Sequence, residues 1–198
     1  SRKDTYRIKE EIILPGTKES IGQVLLTDVG SRKLDIRLGP DEILLRGELQ
    51  VFCMYLSADE KADWIEQNVP YEGRISCEGV TEGMYHHIRH SLEDTLVDVR
   101  LDEDGEMRIL GIEATLSLRM NIYEEEENEI LRDMYSLEQV CEFDTRDVVC
   151  EELLMQNQSR CKVSERLALP ELKEDVLQIL HSQGSIQVES EQHTDDGI

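Results

Sequence analysis

Residues 109–126 read ILGIEATLSLRMNIYEEE. From Ala114 to Ile122 every second residue is apolar: Ala114, Leu116, Leu118, Met120 and Ile122 alternate with Thr115, Ser117, Arg119 and Asn121. Successive side chains of a strand point to opposite faces, so a period of two predicts a half-buried strand with one wet face, the pattern of antiparallel sheets. The segment before it alternates in the same way. Val97, Val99 and Leu101 interleave with Asp98 and Arg100, and Asp104-Gly105 stands between the two runs. Asp-Gly supplies the positive φ of a tight turn, so the two runs are predicted to form a hairpin.

The same period extends toward the N-terminus. Residues 43–56 read ILLRGELQVFCMYL, with Leu49, Val51, Cys53 and Tyr55 on one face. Phe52 and Met54 make the second face apolar too, which predicts a central strand. Gly47 interrupts the run and is a candidate bulge. Residues 57–61, SADEK, read as an exposed hairpin loop with Trp64 and Ile65 on the returning strand. Pro70 and Gly73 are expected to punctuate the passage before Ile75, Cys77 and Val80. Tyr6, Ile8, Ile12 and Leu14 share another alternating face, broken by Glu10 and ended by Pro15-Gly16. Lys18 to Leu26 fits a short helix or a strand. Ile130, Leu131 and Met134, at i, i+1 and i+4, give Glu124–Tyr135 a helical texture, and residues 138–156 resume a strand-like one. The fold class expected is mainly β: an antiparallel sandwich or open barrel with few short helices.

Residues 6–27, YRIKEEIILPGTKESIGQVLLT, align without a gap on residues 161–182, CKVSERLALPELKEDVLQILHS, at an offset of 155. Seven of the 22 positions are identical, Glu10/Glu165 and Pro15/Pro170 among them. The apolar frame is exchanged like for like, as in Ile8/Val163 and Ile12/Leu167. A repeat at this spacing is longer than a solenoid unit and marks a duplicated domain. The expected organisation is a β unit over 1–123, a connector with a short helix and strands over 124–160, and over 161–198 the truncated leading segment of a second, homologous unit. An amphipathic strand without neighbours leaves an apolar row uncovered. Val163, Leu167 and Leu169 are therefore expected to dock on the first unit or to pair with another molecule by strand-mediated self-association.

Composition limits the function. With 44 acidic and 21 basic residues, the 198-residue chain carries a formal charge of −23. That sign opposes attraction to a phosphate backbone or an anionic membrane surface, so no nucleic acid and no membrane insertion are expected. The five cysteines form no CxxC pair, which signals neither a zinc knuckle nor a redox motif. Free thiols in a reducing compartment are expected, with Cys53 and Cys161 acting as small hydrophobes in alternating stretches. Asn157-Gln158-Ser159 matches a glycosylation sequon, a tripeptide common by chance.

Three constellations carry residue types capable of chemistry. His86, His87 and His90 are the clustered histidines. On a strand His86 and His90 share a face, but the spacing is not HExxH and Arg89 opposes a cation, so an exposed polar strand is the preferred reading over a metal-dependent enzyme. Glu124–Glu127 form an acidic run, read as a solvated face over a docking patch for a basic partner. Glu10, with its counterpart Glu165, reads as a carboxylate at a sheet edge or paired with a base in preference to a general acid. There is no Gly-rich phosphate loop and no nucleophile elbow. No residue is assigned a catalytic, cofactor-binding or metal-ligating role, and no enzyme activity is expected.

Leu45–Leu56 (LRGELQVFCMYL), Val69–Ile75 (VPYEGRI) and Ile109–Glu126 together resemble the SPOCS domains of SipL-type spore-coat morphogenetic proteins of endospore-forming anaerobes. The family pattern places a glycine-containing strand ending in Leu-Tyr before an Ile-Pro-Phe segment. Gly47 and Tyr55 fit the first, and Val69-Pro70-Tyr71 fits the second with Tyr for Phe. The resemblance spans residues 6–180. It implies a non-catalytic interaction module in spore coat or envelope assembly, on the mother-cell side of the forming spore, in the cytoplasm. The partners implied are other spore-coat or sporulation proteins. Family members often end in a LysM module, which is credited with contact to stage IV sporulation protein A; no LysM sequence occurs here. The rival from another class is a carbohydrate or peptidoglycan-binding module, which draws on β-sandwich architecture but has Trp64 as the sole Trp.

Overall fold

A computed structural model describes residues 1–131, 137–138, 144, 146–156, 161–166, 168 and 175–186. By compactness the chain divides into two units, Ser1–Leu153 and Leu154–Ile198. The first holds six strands: β1 (Arg2–Ile13), β2 (Ile21–Gly39), β3 (Glu42–Ser57), β4 (Ala62–Ser76), β5 (Tyr85–Leu101) and β6 (Met107–Tyr123). They form two antiparallel three-stranded sheets in the orders β1-β6-β5 and β2-β3-β4. The mainly β fold read from the periodicity is the observed one.

The buried rows of both sheets meet in one core. Ile8, Ile12, Leu110, Ile112, Leu116 and Leu118 from one sheet join Leu45, Leu49, Val51, Cys53 and Tyr55 from the other in a single cluster. β6 and β3 are the central strands and hold the most completely buried residues; Leu110, Leu116, Leu118, Leu49, Val51, Cys53 and Tyr55 are all 0% exposed. Burying a side chain of this size contributes roughly 1.5–3 kcal/mol, so these two strands carry most of the hydrophobic stabilisation. Phe52, pointing to the opposite face of β3, is also buried, and Met54 is half-buried.

The predicted hairpin of β5 and β6 is present. Its connection, 102–106, is closed by Asp102 N–H to the Glu106 carbonyl at 2.8 Å, with Gly105 at φ 79°. The Asp102 carboxylate accepts from the N–H groups of Asp104 and Glu106 at 3.0 and 2.9 Å, a side-chain mimic of a backbone turn. The β3–β4 loop likewise follows the sequence reading, with Ser57 N–H on the Lys61 carbonyl and Glu60 at φ 61°. Lys18–Leu26, open between helix and strand, enters strand at Ile21.

Several expectations are corrected. Gly47 is not a bulge: β3 pairs β4 without a register shift, and the irregularity lies opposite it on β2, between Arg32 and Asp35, where Lys33 takes φ 52°. Gly47 serves a different purpose. A Cβ there would lie 2.6 Å from the Tyr71 hydroxyl, so the glycine makes room for the Tyr71 ring, which crosses over it to reach Ser31 Oγ at 3.1 Å. Pro70 and Gly73 do not interrupt β4, which runs unbroken from Ala62 to Ser76. β4 is an edge strand, where a residue without N–H is tolerated, and Gly73 is covered by the Tyr6 ring. The helix expected over 124–135 does not form in 124–131; residues 132–136 lie outside the described residues. The strand texture of 138–156 gives no strand among the described residues of that range, and neither does the repeat at 161–166. Leu167 and Leu169 lie outside the described residues. Cys161 is exposed and does not act as a buried hydrophobe, while Cys53 does, with Cys77 buried beside the same core.

Candidate functional site

Three junctions fix the ends of the sandwich. Asp41, in the β2–β3 turn at φ 56°, receives Cys77 N–H on its carbonyl at 2.8 Å and Gly79 N–H on its carboxylate at 2.7 Å, and donates its own N–H to Val80. The loop after β4 is thereby tied to the neighbouring hairpin. At the β1–β2 crossover Arg108 plays the corresponding part. Its guanidinium, 16% exposed, donates to the carbonyls of Lys18 at 2.9 Å, Pro15 at 2.8 Å and Leu14 at 3.4 Å. Those carbonyls have left the ladder and need donors; one planar fork supplies them.

The third junction is polar and partly buried. Lys18 Nζ contacts Asp63 at 2.5 Å and lies 5.2 Å from the centre of the Trp64 ring. Burial pushes the Asp63 carboxyl up, but Lys18 and the hydrogen bond from Trp64 N–H outweigh it, and the carboxyl titrates below its usual range. Tyr55, buried and near Asp63, is pushed up to about 12 by burial first and by the Asp63 charge second. Burial alone raises the Cys53 thiol to about 11, which leaves it a neutral, unreactive core thiol. Charges and a phenol converge here; Lys18 and Asp63 pair with each other, the Tyr55 hydroxyl donates to the Glu19 carbonyl at 3.4 Å, and the group reads as a clamp on the end of β3.

The weighed residues take the following places. His86 and His90 lie on β5 on the same face as Ile88 and Leu92, which pack against the core; His87 points the other way and accepts from Arg89 Nε at 3.2 Å. Among the described residues no three His, Cys, Asp or Glu side chains converge in metal-ligating geometry. Glu124–Glu127 are exposed and follow directly on β6. Glu10 is half-buried on the inward face of β1, opposite Ile112. β1 is an edge strand, so the preferred sequence reading, a carboxylate at a sheet edge, describes its position. An inward-pointing charge on an edge strand opposes the docking of a further strand. The other edges carry comparable devices: Pro70 on β4, register shifts along β2, and on β5 a shift between Glu93 and Leu96 with Asp94 at φ 49°.

Sequence reasoning did not find the two outward faces. On β2-β3-β4 four ion pairs form: Arg37 with Asp35 at 2.8 Å, Arg46 with Glu72 at 3.1 Å, Arg74 with Glu42 at 3.5 Å and Lys33 with Glu48 at 3.0 Å. The three arginines border a shallow depression of about 330 Å³ beside Leu44. On β1-β6-β5, among the described residues, the outward ion pairs gather at one end, through Lys9–Glu113 at 2.8 Å and Arg100 with Glu11 and Asp98 at 2.7 and 2.6 Å. The signal that would have exposed these faces is register, since charges such as Arg74 and Glu42, or Arg100 and Glu11, become neighbours only through strand pairing.

Among the described residues no helix is long and apolar enough to cross a membrane. Searches of curated proteins and of solved structures gave no match. A family model described as "SipL, SPOCS domain" matches residues 20–100, which take in β2, β3, β4 and β5 up to Arg100. The motif segments at 45–56 and 69–75 lie inside the match and pair with each other as β3 and β4; their Gly47 and Tyr71 are cross-strand partners. The strand at 109–126 lies beyond the matched residues. Over residues 20–100, this chain is similar to the SPOCS domain family.

Proposed function

We propose that the chain is a non-catalytic, β-rich interaction module of a multi-domain protein in spore coat or envelope assembly. The observation that carries this reading is the SPOCS match over residues 20–100, on a segment whose motif residues Gly47 and Tyr71 serve packing and not chemistry. The family match supports a sporulation-related module. The polar groups with the strongest perturbations, Asp63, Tyr55 and Cys53, are engaged in holding β3 and its neighbours, and none stands beside a nucleophile–base pair. Partners are other coat or sporulation proteins, met on the mother-cell side of the forming spore. A second reading, a module for wall carbohydrate, draws on Tyr85 and Tyr123, cross-strand partners 44% and 47% exposed at one end of the β5–β6 hairpin.

Pull-down from a sporulating-cell lysate with the full chain as bait separates the two. Enrichment of coat proteins is expected. Enrichment of insoluble peptidoglycan without coat proteins would overturn the first reading in favour of the second.

A further inference from the structure

The outward face of β1-β6-β5 divides across its middle. At one end lie the matched charges of Lys9, Glu113, Arg100, Glu11 and Asp98. At the other, Lys3 is the register partner of Arg119, and Arg119 is the partner of Arg89. Three cations thus stand in one row across three strands. All three are exposed, and none makes an ion pair among the described residues. Arg7 stands on the same face of β1, also exposed and without an ion pair, close enough to lower the Glu113 carboxyl in company with Lys9. Like charges directly opposite one another destabilise a sheet. Scarcity of acids is not the cause, because the chain has 44 acidic residues against 21 basic ones. The arrangement carries a repulsion that an acidic substitution within the row would relieve, and such a cost is typical of a surface kept for a partner.

The surroundings fit a protein partner. Between the cationic row and Arg7 runs a row of small hydroxyls, Thr5, Ser117 and Ser91, again in register; Ser91 Oγ donates to Glu93 at 2.8 Å, which leaves Thr5 and Ser117 beside the cations. On the far side of the row the face ends in the exposed pair Tyr85 and Tyr123. Arginine and tyrosine are enriched among residues that dominate protein–protein affinity, and guanidinium and hydroxyl groups both donate to carboxylates.

We propose that this half of the β1-β6-β5 face is the docking surface for a carboxylate-rich segment of a partner protein, laid across the Lys3–Arg119–Arg89 row; the inference rests on the interaction-module reading and specifies its surface. Charge complementarity selects the occupant. Three strands spaced about 4.8 Å apart make a cationic strip only about 10 Å wide. A short acidic segment fits within that width. A continuous phosphate backbone would run on to a molecule of net charge −23, beyond the reach of a strip about one Debye length across.

The test is fluorescence anisotropy with a labelled oligoglutamate of about eight residues, titrated with the full chain at about 50 mM and about 200 mM salt. Saturable binding is expected at the lower salt and several-fold weaker binding at the higher. Arg119→Glu and Arg89→Glu should each weaken it about tenfold or more, and Arg46→Glu, on the other sheet, should leave it unchanged. Arg119→Thr provides a readout independent of charge reversal: it should raise the melting temperature at low salt by relieving the row, while weakening binding. No saturable binding by the unaltered chain, equal binding by a folded Arg119→Glu variant, or tighter binding of a single-stranded oligonucleotide than of oligoglutamate would each overturn the proposal. The functional reading fails separately. If oligoglutamate binding behaves as expected while the lysate pull-down yields no coat protein, the surface stands and the sporulation role falls.

Discussion

Residues 6–14 and 161–169 carry one sequence pattern, and the described parts of the two take different structural states. In the first, Ile8 and Ile12 are 2% and 1% exposed in a strand paired along its length with β6. In the second, residues 161–166 form no strand, and Val163, the counterpart of Ile8, is 65% exposed. Alternation is therefore a permission and not a cause. A row of apolar residues at period two can line a core, but the strand forms where a neighbour offers both a hydrogen-bond ladder and an apolar surface. For β1 that neighbour is β6, more than a hundred residues away in sequence, and the crossover that follows β1 is secured by Arg108, the second residue of β6.

The largest test of this contrast is native-state hydrogen exchange. Amides of residues 8–13 in β1 should exchange through global unfolding, and those of 161–166 near the rate of an open chain, a difference of about a thousandfold or more. Comparable slow exchange in both segments would mean that the second copy has its own partner strand and that the contrast is false.

Next in size is a matched pair of truncations. Ile8→Ala should cost about 3 kcal/mol in urea denaturation, because it empties a buried site between the sheets. Val163→Ala should stay within about 0.5 kcal/mol, as for an exposed position. Equal losses would place Val163 in a core.

Arg108→Met sharpens the comparison from the β6 side. It keeps length and removes the donors that three carbonyls of residues 14–18 rely on, so a loss of about 2 kcal/mol is expected, together with faster exchange at Leu14 and Lys18. Unchanged exchange there would show that β1 is held by its ladder alone.

The smallest effect expected is a pH dependence confined to the first copy. Cys53 and Tyr55 have folded-state pKa values raised from 9.0 to about 11 and from 10.0 to about 12. The folded state thus keeps protons that the unfolded chain releases. The stabilisation is complete below pH 9 and declines as pH rises through 9–12. Asp63 works in the opposite direction: its lowered pKa stabilises the fold above the ordinary carboxylate range, and that contribution is lost as pH falls through the folded value. Thermal melts over both ranges should show a decline at each extreme, and Cys53→Ala should remove part of the alkaline one. A melting temperature flat from pH 8 to about 11 would contradict the burial of both groups.

Much of this architecture was legible in the residues. Period-two runs named β1, β3, β5 and β6 and their inward rows, because the side-chain alternation of a strand is a local property. Asp104-Gly105 and the 57–61 loop marked two hairpins for the same reason. Gly47 and Tyr71 were recognised as motif residues, but not as one contact. A glycine inside a strand has two physical explanations, extra conformational freedom, which predicts a bulge at Gly47, and the approach of another group; the pairing of β3 with β4 selects the second. Pro70 was read as a break because centre and edge of a sheet are indistinguishable along the chain; strand order decides whether a missing N–H matters. The helical spacing near 130 had no apolar surface to lie on among the described residues. Which faces could be buried was written along the chain, since that depends on neighbours two residues apart. Which of those faces find a partner, which charges oppose one another, and why Lys3, Arg89 and Arg119 form a row follow from sheet register, which brings together residues that local chemistry cannot relate.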